Sequence, residues 1–278
     1  MQDMRPSLEN PEEAFKYDAT AKLLSSFTAA RTRRGVLKGA LAGTAGVAAA
    51  AAGVGLMNII PALAAEKDGV KLGQCLDNPV TIFSVARTAE MLAITFYNHG
   101  IANASALGLN ATDKFNLEAL RTEEQIHLEF FIAQGGEALA STFSFPHGAA
   151  TFTNLGFFIA AQQQLEGVFD SAFLAAVKEF ADLRMPTTAQ IAAQIALVEG
   201  QHYTIGRQIA SEHGLRGFEP LAPWAFAPVL VKSVSNAVEV AKNAGYLSPT
   251  PGNSFGFVAA PDRGFGVTFT APFAESCS

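Results

Sequence analysis

The sequence contains two Glu-x-x-His segments, Glu124-Gln125-Ile126-His127 and Glu199-Gly200-Gln201-His202. A lone glutamate precedes each segment at nearly the same distance, Glu90 by 34 residues and Glu166 by 33 residues. On a helix, residues three positions apart share a face, so the Glu and His of each segment point the same way. The pattern therefore supplies four carboxylates and two imidazoles, which four bundled helices can direct at a pair of divalent metal ions.

These six side chains fall within the apolar stripes of four predicted helices. In the first helix, Phe83, Ala86, Glu90, Ile94 and Tyr97 recur at gaps of three and four residues, which is typical of a face turned to a core. The other three stripes contain the remaining glutamates and histidines in the same way. We predict helices over residues 79–104, 113–134, 154–183 and 188–214, the last starting with a capping box at Thr187-x-x-Gln190.

The connections between the helices predict their topology. The first two helices and the last two are joined by short links, so each pair forms an antiparallel hairpin. The middle link, residues 135–153, is long enough to cross the length of a helix. The predicted fold class is therefore all-α, a ferritin-like antiparallel four-helix bundle with a long crossover. A fifth helix over about 229–244 and a Gly/Pro-rich arm, irregular or with short β structure, complete it.

The negative charge of buried carboxylates must be compensated, and the composition of the predicted stripes favours metal ions as the compensating charge. An ionised carboxylate in an apolar stripe costs several kcal/mol unless it is paired or metal-bound, and no Lys or Arg occurs in the four stripes. Mixed carboxylate and imidazole ligation favours iron or manganese. We predict a centre of two Fe or two Mn ions with the metal ligands Glu90, Glu124, His127, Glu166, Glu199 and His202.

Three neighbouring residues receive predictions of their own. Glu123 lies about 100° around the helix from Glu124, so we expect its side chain in solvent. Gln162 and Asp170 lie one turn on either side of Glu166. Either is a candidate for a hydrogen bond that orients a ligand, the alternative being an ordinary hydrogen bond between helices.

Together these residues resemble the ferritin-like di-iron carboxylate superfamily, which includes ferritins, bacterioferritins, rubrerythrins and manganese catalases. An exported chain with two Glu-x-x-His helices and a C-terminal extension is similar, more narrowly, to the desiccation-related group. The resemblance implies a tyrosine near the metals seven residues after the first-helix glutamate, and Tyr97 follows Glu90 at that distance. We therefore predict Tyr97 as a catalytic residue. The third helix departs from this pattern, since Phe173 follows Glu166.

The N-terminal residues predict export. Thr32-Arg33-Arg34-Gly35-Val36-Leu37-Lys38 precedes an uncharged Ala/Gly-rich stretch, the order of parts in a twin-arginine signal. Cleavage after Ala64 gives a periplasmic or secreted protein, and an uncleaved membrane anchor is the alternative. The predicted organisation is a leader (1–64), a bundle (65–217) and a C-terminal helix with an arm (218–278). Cys75 and Cys277 either form a disulfide or remain free thiols.

The predicted function is oxidoreductase chemistry at the metal pair. Candidate reactions are ferroxidase, peroxidase or catalase-like turnover in oxidative or desiccation stress, with dioxygen, peroxide or ferrous iron as the small partner. The alternative is a non-catalytic protein that binds metal, sequesters iron or protects structure. A net charge of −6 without a basic run in the body of the chain gives no footprint for nucleic acid. The expected protein partners are the twin-arginine translocase during export and a second copy in a homodimer.

Overall fold

The computed structural model describes residues 76–261 and 266–267. The helices in this part of the chain are α1 (Pro79–Ala102), α2 (Ala104–Leu107), α3 (Ala111–Ala133), α4 (Leu155–Asp182), α5 (Pro186–Glu212) and α6 (Val234–Asn243). A 3-10 helix (Gly148–Phe152) and two short strands, β1 (Thr142–Phe143) and β2 (Phe255–Gly256), complete the described structure. The predicted all-α class with a minor β element is confirmed. The leader, Cys75 and Cys277 lie outside the described residues.

The helix starts follow local capping chemistry, and one prediction about them is wrong. The side chain of Asn110 accepts hydrogen bonds from the first turn of α3, and Asp113 accepts one in return from the backbone N–H of Asn110. This capping box starts α3 two residues earlier than predicted. The box predicted at Thr187 does not form, because α5 already begins at Pro186, and Met185 occupies the N-cap without a side-chain hydrogen bond. Proline at the first helical position has no N–H group, so it leaves no backbone donor without a partner there.

Two helical hairpins form the bundle. α1 packs along α3, and α4 packs along α5, each pair joined by a short connection. α1 also contacts α4, α3 contacts α5, and α6 packs on the outside against both α1 and α4. α1 is apolar enough to cross a membrane by length and composition, but 78% of its most apolar stretch is buried inside the protein. Its composition is therefore that of a core helix.

The C-terminal arm is attached to the crossover. β1 in the crossover pairs antiparallel with β2 in the arm, with Phe143 opposite Phe255. The Asn253 side chain donates to the backbone oxygen of Phe145 at 2.9 Å and accepts from its N–H at 3.0 Å. Phe145 is fully buried against the bundle. The arm thus fixes the crossover in place beside the hairpins.

The fifth helix is shorter than the sequence predicts. Helix α6 begins at Val234 instead of residue 229, because the N–H groups of Leu230 and Val231 donate to the Ser171 hydroxyl on α4. An N–H group that already donates to a side chain of α4 is not available for the hydrogen bonds of α6. The preceding segment is consequently held against the outside of the bundle.

Candidate metal centre

The structure brings together the six predicted ligands at the middle of the bundle. One comes from α1, two from α3, one from α4 and two from α5. The four glutamates and His202 are at most 1% exposed, and the side chain of His127 is 12% exposed. Their donor atoms form two overlapping groups, which share Glu124 and Glu199. Within each group these atoms all lie within 4.8 Å of one another.

The first group consists of Glu90, Glu124, His127 and Glu199. Nδ1 of His127 lies 3.9 Å from Glu90 Oε1, 3.6 Å from Glu124 Oε2 and 3.4 Å from Glu199 Oε1. Bonds of about 2.0–2.2 Å to one metal ion would place donor atoms about 3–4.4 Å apart. These distances match that range.

The second group consists of Glu124, Glu166, Glu199 and His202. Nδ1 of His202 lies 3.1 Å from Glu124 Oε1, 3.7 Å from Glu166 Oε2 and 3.4 Å from Glu199 Oε2. Each histidine therefore meets a different oxygen of Glu124 and of Glu199. Two carboxylates with one oxygen in each group have the arrangement that bridges a pair of ions.

Buried atoms without hydrogen-bond partners show that the donor set fits metal ions. A buried polar atom without a partner costs about 1–3 kcal/mol, and more when it is charged. Two divalent cations would neutralise four carboxylates and provide partners for the unpaired atoms. The atoms in question are Glu90 Oε1 and Oε2, Glu124 Oε2, His127 Nδ1, Glu166 Oε2, and Glu199 Oε1 and Oε2.

Without metal, protons compensate part of the charge. Burial, and then the neighbouring Glu124, raises the pKa of Glu90 well above its usual range. Burial alone would lower the pKa of His127, but the nearby carboxylates of Glu124 and Glu199 outweigh burial and raise that pKa to about 9. For Glu124, burial acts upward, yet the adjacent His202 and His127 hold its pKa below the usual value. Like-charged carboxylates at this spacing cannot all ionise without cations.

Tyr97 lies at one end of the ligand cluster. Its hydroxyl donates to Glu166 Oε1, and burial followed by the charge of Glu166 raises the pKa of Tyr97 well above its usual value. Gln162 donates to the backbone oxygen of His202 at 2.8 Å and lies 3.4 Å from the Tyr97 hydroxyl. Gln162 has room because residue 206 is a glycine. A Cβ atom added at Gly206 would lie only 1.9 Å from Gln162 Oε1. Of the two predicted orienting residues, Gln162 thus contacts the site directly.

Glu123 is a site residue that sequence reasoning missed. The prediction that its side chain lies in solvent is wrong, because its Oε2 lies 2.7 Å from His202 Nε2 and its side chain is 32% exposed. A carboxylate of this kind orients a ligating histidine through the nitrogen that does not face the metal. The 100° offset from Glu124 turns Glu123 toward α5, and only the placement of α5 beside α3 reveals the partner.

Residues 78–212 match the family model described as a ferritin-like domain. The helical bundle is similar to a ferritin-like domain. The match extends from the cap of α1 to the end of α5 and includes all six predicted ligands. Comparison with curated proteins and with solved structures gives no significant match. The expected resemblance to the ferritin-like superfamily is confirmed, and the narrower resemblance to the desiccation-related group stays a prediction.

The two ends of the candidate ligand cluster in this bundle differ in polarity. One end carries Tyr97 and Gln162, whereas at the other end Phe173 stacks on Phe131 with ring centroids 5.9 Å apart. Asp170 lies one helical turn after Glu166 and is buried. Burial, followed by the charge of Glu199, raises the pKa of Asp170 to about 6. The pseudo-symmetric pattern in the sequence therefore produces an asymmetric environment.

Proposed function

We propose that the ferritin-like domain binds two iron or manganese ions and performs oxidoreductase chemistry on dioxygen or peroxide. Glu90, Glu124, His127 and Glu199 would hold one ion. Glu124, Glu166, Glu199 and His202 would hold the other. When bound, such a pair supplies electrons and open coordination positions for a small oxidant. Ferroxidase, peroxidase and catalase-like reactions all use these properties.

One observation carries this proposal: buried donor atoms without partners belong to two close groups that share Glu124 and Glu199. Hydrogen bonds alone leave both oxygens of Glu90 and both of Glu199 unpaired. A purely structural cluster would be expected to satisfy these atoms within the protein. Metal binding is the simplest chemistry that satisfies all of them at once.

Residues in and around the candidate ligand cluster support the proposed chemistry in three ways: they hold a proton, fix a histidine and exclude water. The raised pKa of Tyr97 keeps its phenol protonated, so a proton is held one hydrogen bond from Glu166. Glu123 fixes His202 through Nε2, which leaves Nδ1 directed at the carboxylates. The complete burial of Glu124 and Glu199 excludes bulk water from the shared oxygens.

We further propose that the protein works in the periplasm or outside the cell, where it protects against oxidative or desiccation stress. The twin-arginine pattern at Arg33 and Arg34 supports export. That route carries folded proteins, so metal loading before export through the twin-arginine translocase is compatible with it. A second copy of the chain as a homodimer partner belongs to the same proposal.

Metal analysis and turnover assays on the full chain test the proposal. After reconstitution with Fe(II) or Mn(II), we expect about two ions per chain, and ferrous oxidation or peroxide consumption above the rate of free metal. Glu166→Ala should lose metal, whereas Glu118→Ala, which removes a surface pair with Lys114 on α3, should retain it. Fewer than about one ion per chain would refute the metal centre. Two bound ions without turnover would instead favour the non-catalytic alternative.

A further inference from the structure

An apolar cavity of about 60 Å³ is lined by residues of the four bundle helices and of α6. Each of the four bundle helices contributes a lining residue three or four positions from a ligand, which is about one helical turn of 5.4 Å. These lining residues are Ala86 on α1, Phe131 on α3, Phe169 on α4 and Ile195 on α5. Helix α6 closes one side of the cavity with Val234 and Ala237. The cavity thus lies in the core layer next to the ligand layer.

The cavity walls offer almost no hydrogen bonds. Among the described lining residues, only Thr88 and Thr188 have polar side chains. The Thr88 hydroxyl is already used, because it donates to the backbone oxygen of Ser84 at 2.8 Å and accepts from the N–H of Leu139 at 2.9 Å. A buried water needs two to four polar partners. The cavity therefore favours an occupant without hydrogen-bonding groups.

The cavity lies at the apolar end of the ligand cluster. Phe173 and Phe131, the stacked pair at that end, both line it. Tyr97 and Gln162 are at the opposite end and are absent from its described lining. A polar oxidant would be expected to approach through hydrogen-bonding groups, whereas an apolar one would partition into this side.

The volume limits the size of the occupant. One water needs about 10–15 Å³, and a dry apolar cavity of about 150 Å³ admits benzene. A cavity of about 60 Å³ therefore suits a molecule of a few heavy atoms. Hydrogen peroxide carries two O–H donors that this lining would leave unpaired, and burial of unpaired donors is costly. Dioxygen carries none.

We propose that this cavity binds dioxygen, and that dioxygen is the oxidant delivered to the ligand cluster from the Phe173 side. The assignment of the oxidant rests on the function proposed above. The binding site itself does not, because the cavity and its lining are features of the chain without metal. This independence allows the two proposals to be tested separately.

Xenon binding to the full chain without metal tests the cavity directly, since xenon is an apolar probe of similar size. Under xenon pressure, methyl resonances of Ile82, Leu92 and Ile195 should shift and saturate in an NMR titration. Ala192→Leu should abolish these shifts, because Ala192 lines the cavity and is buried. Ala193→Leu is the matched control, since Ala193 is partly exposed and is not part of the lining.

Oxygen kinetics on the iron-loaded chain test the delivery step. Ala192→Leu should raise the half-saturating concentration of dioxygen several-fold while iron stoichiometry and the rate with peroxide stay unchanged. Ala193→Leu should behave as the unsubstituted chain. If circular dichroism shows that Ala192→Leu does not fold, Ala192→Val takes its place in both experiments.

The outcomes separate the two proposals. Absence of saturable xenon shifts in the unsubstituted chain overturns the cavity as a binding site. An unchanged dioxygen dependence in the folded Ala192 variant overturns delivery from this side. A chain that shows the xenon shifts but binds no iron refutes the proposed function and leaves the apolar binding site standing.

Discussion

Glu123 on α3 and His202 on α5 are joined by a hydrogen bond of 2.7 Å between Oε2 and Nε2. When the ring of His202 is neutral, this contact favours the proton on Nε2, and Nδ1 is the nitrogen that faces Glu124, Glu166 and Glu199. The contact therefore fixes both the tautomer and the orientation that metal ligation requires.

Glu123→Ala should weaken metal binding without removing a ligand. Loss of a carboxylate that orients a ligating histidine typically costs about 10–100-fold in metal affinity, and we expect that range in a chelator competition with Mn(II). Glu123→Gln should retain most of the affinity, because its amide oxygen can still accept from Nε2. Glu118→Ala controls for loss of charge on the same helix. Equal affinities for the alanine variant and the unsubstituted chain would contradict the assigned role.

Two glycines of α5 should respond oppositely to alanine. At Gly200 a Cβ would meet nothing within 4 Å, so Gly200→Ala should stabilise the helix by about 0.5–1 kcal/mol. At Gly206 the Cβ would lie 1.9 Å from Oε1 of Gln162, which is buried and bonded to the His202 backbone. Gly206→Ala should therefore destabilise by about 1–3 kcal/mol.

Urea unfolding of both glycine variants measures the difference. Metal affinity provides a second readout, because displacement of Gln162 also disturbs its contact with Tyr97. A Gly206→Ala variant as stable as Gly200→Ala would show that Gln162 moves aside freely and does not orient the site.

The convergence of the six candidate side chains could be predicted from sequence because helix periodicity is a local property. The spacing of Glu90, Glu124 and His127 within their stripes determines which side chains face inward, wherever the helices finally pack. The crossover followed from loop length in the same way. These features needed no knowledge of the partner helix.

The features that sequence missed depend on contacts between distant segments. Glu123 finds His202, 79 residues away, only once α3 and α5 are adjacent. The start of α6 is delayed by hydrogen bonds to Ser171, about 60 residues earlier in the chain. The pairing of Phe143 with Phe255 likewise joins the crossover to the arm. No local pattern around these residues indicates such partners.

Glu179 should contribute strongly to the stability of the outer layer. One of its oxygens accepts from the N–H of Asp77 at 3.0 Å and the other from the N–H of Val234 at 3.1 Å, so it ties the chain before α1 to the start of α6. Glu179→Ala leaves both donors without this acceptor and should cost about 1–3 kcal/mol in urea unfolding. Glu179→Gln, with one acceptor left, should cost less. Asp182→Ala, which removes an exposed pair with Lys178, should change little.

Protonation of His127 should oppose metal binding at neutral pH. Its pKa of about 9 in the metal-free protein, raised by Glu124 and Glu199 against the effect of burial, means that a proton occupies the imidazole at pH 7. A metal ion binds only the neutral ring, so loading must release this proton. Affinity for Mn(II) should therefore rise from pH 6.5 to pH 9.

The same raised pKa gives the metal-free protein the opposite trend in stability. A folded-state pKa above the unfolded value of about 6.5 stabilises the fold fully below pH 6.5. This stabilisation disappears as pH rises toward 9, because His127 then loses its proton in the folded state as well. Thermal unfolding of the metal-free chain at pH 6.5 and pH 9 should show the loss, and Mn(II) should reverse it. Calorimetric titrations of Mn(II) in two buffers that differ in ionisation enthalpy count the released protons, and a count of zero at pH 7 would contradict the coupling of metal binding to His127.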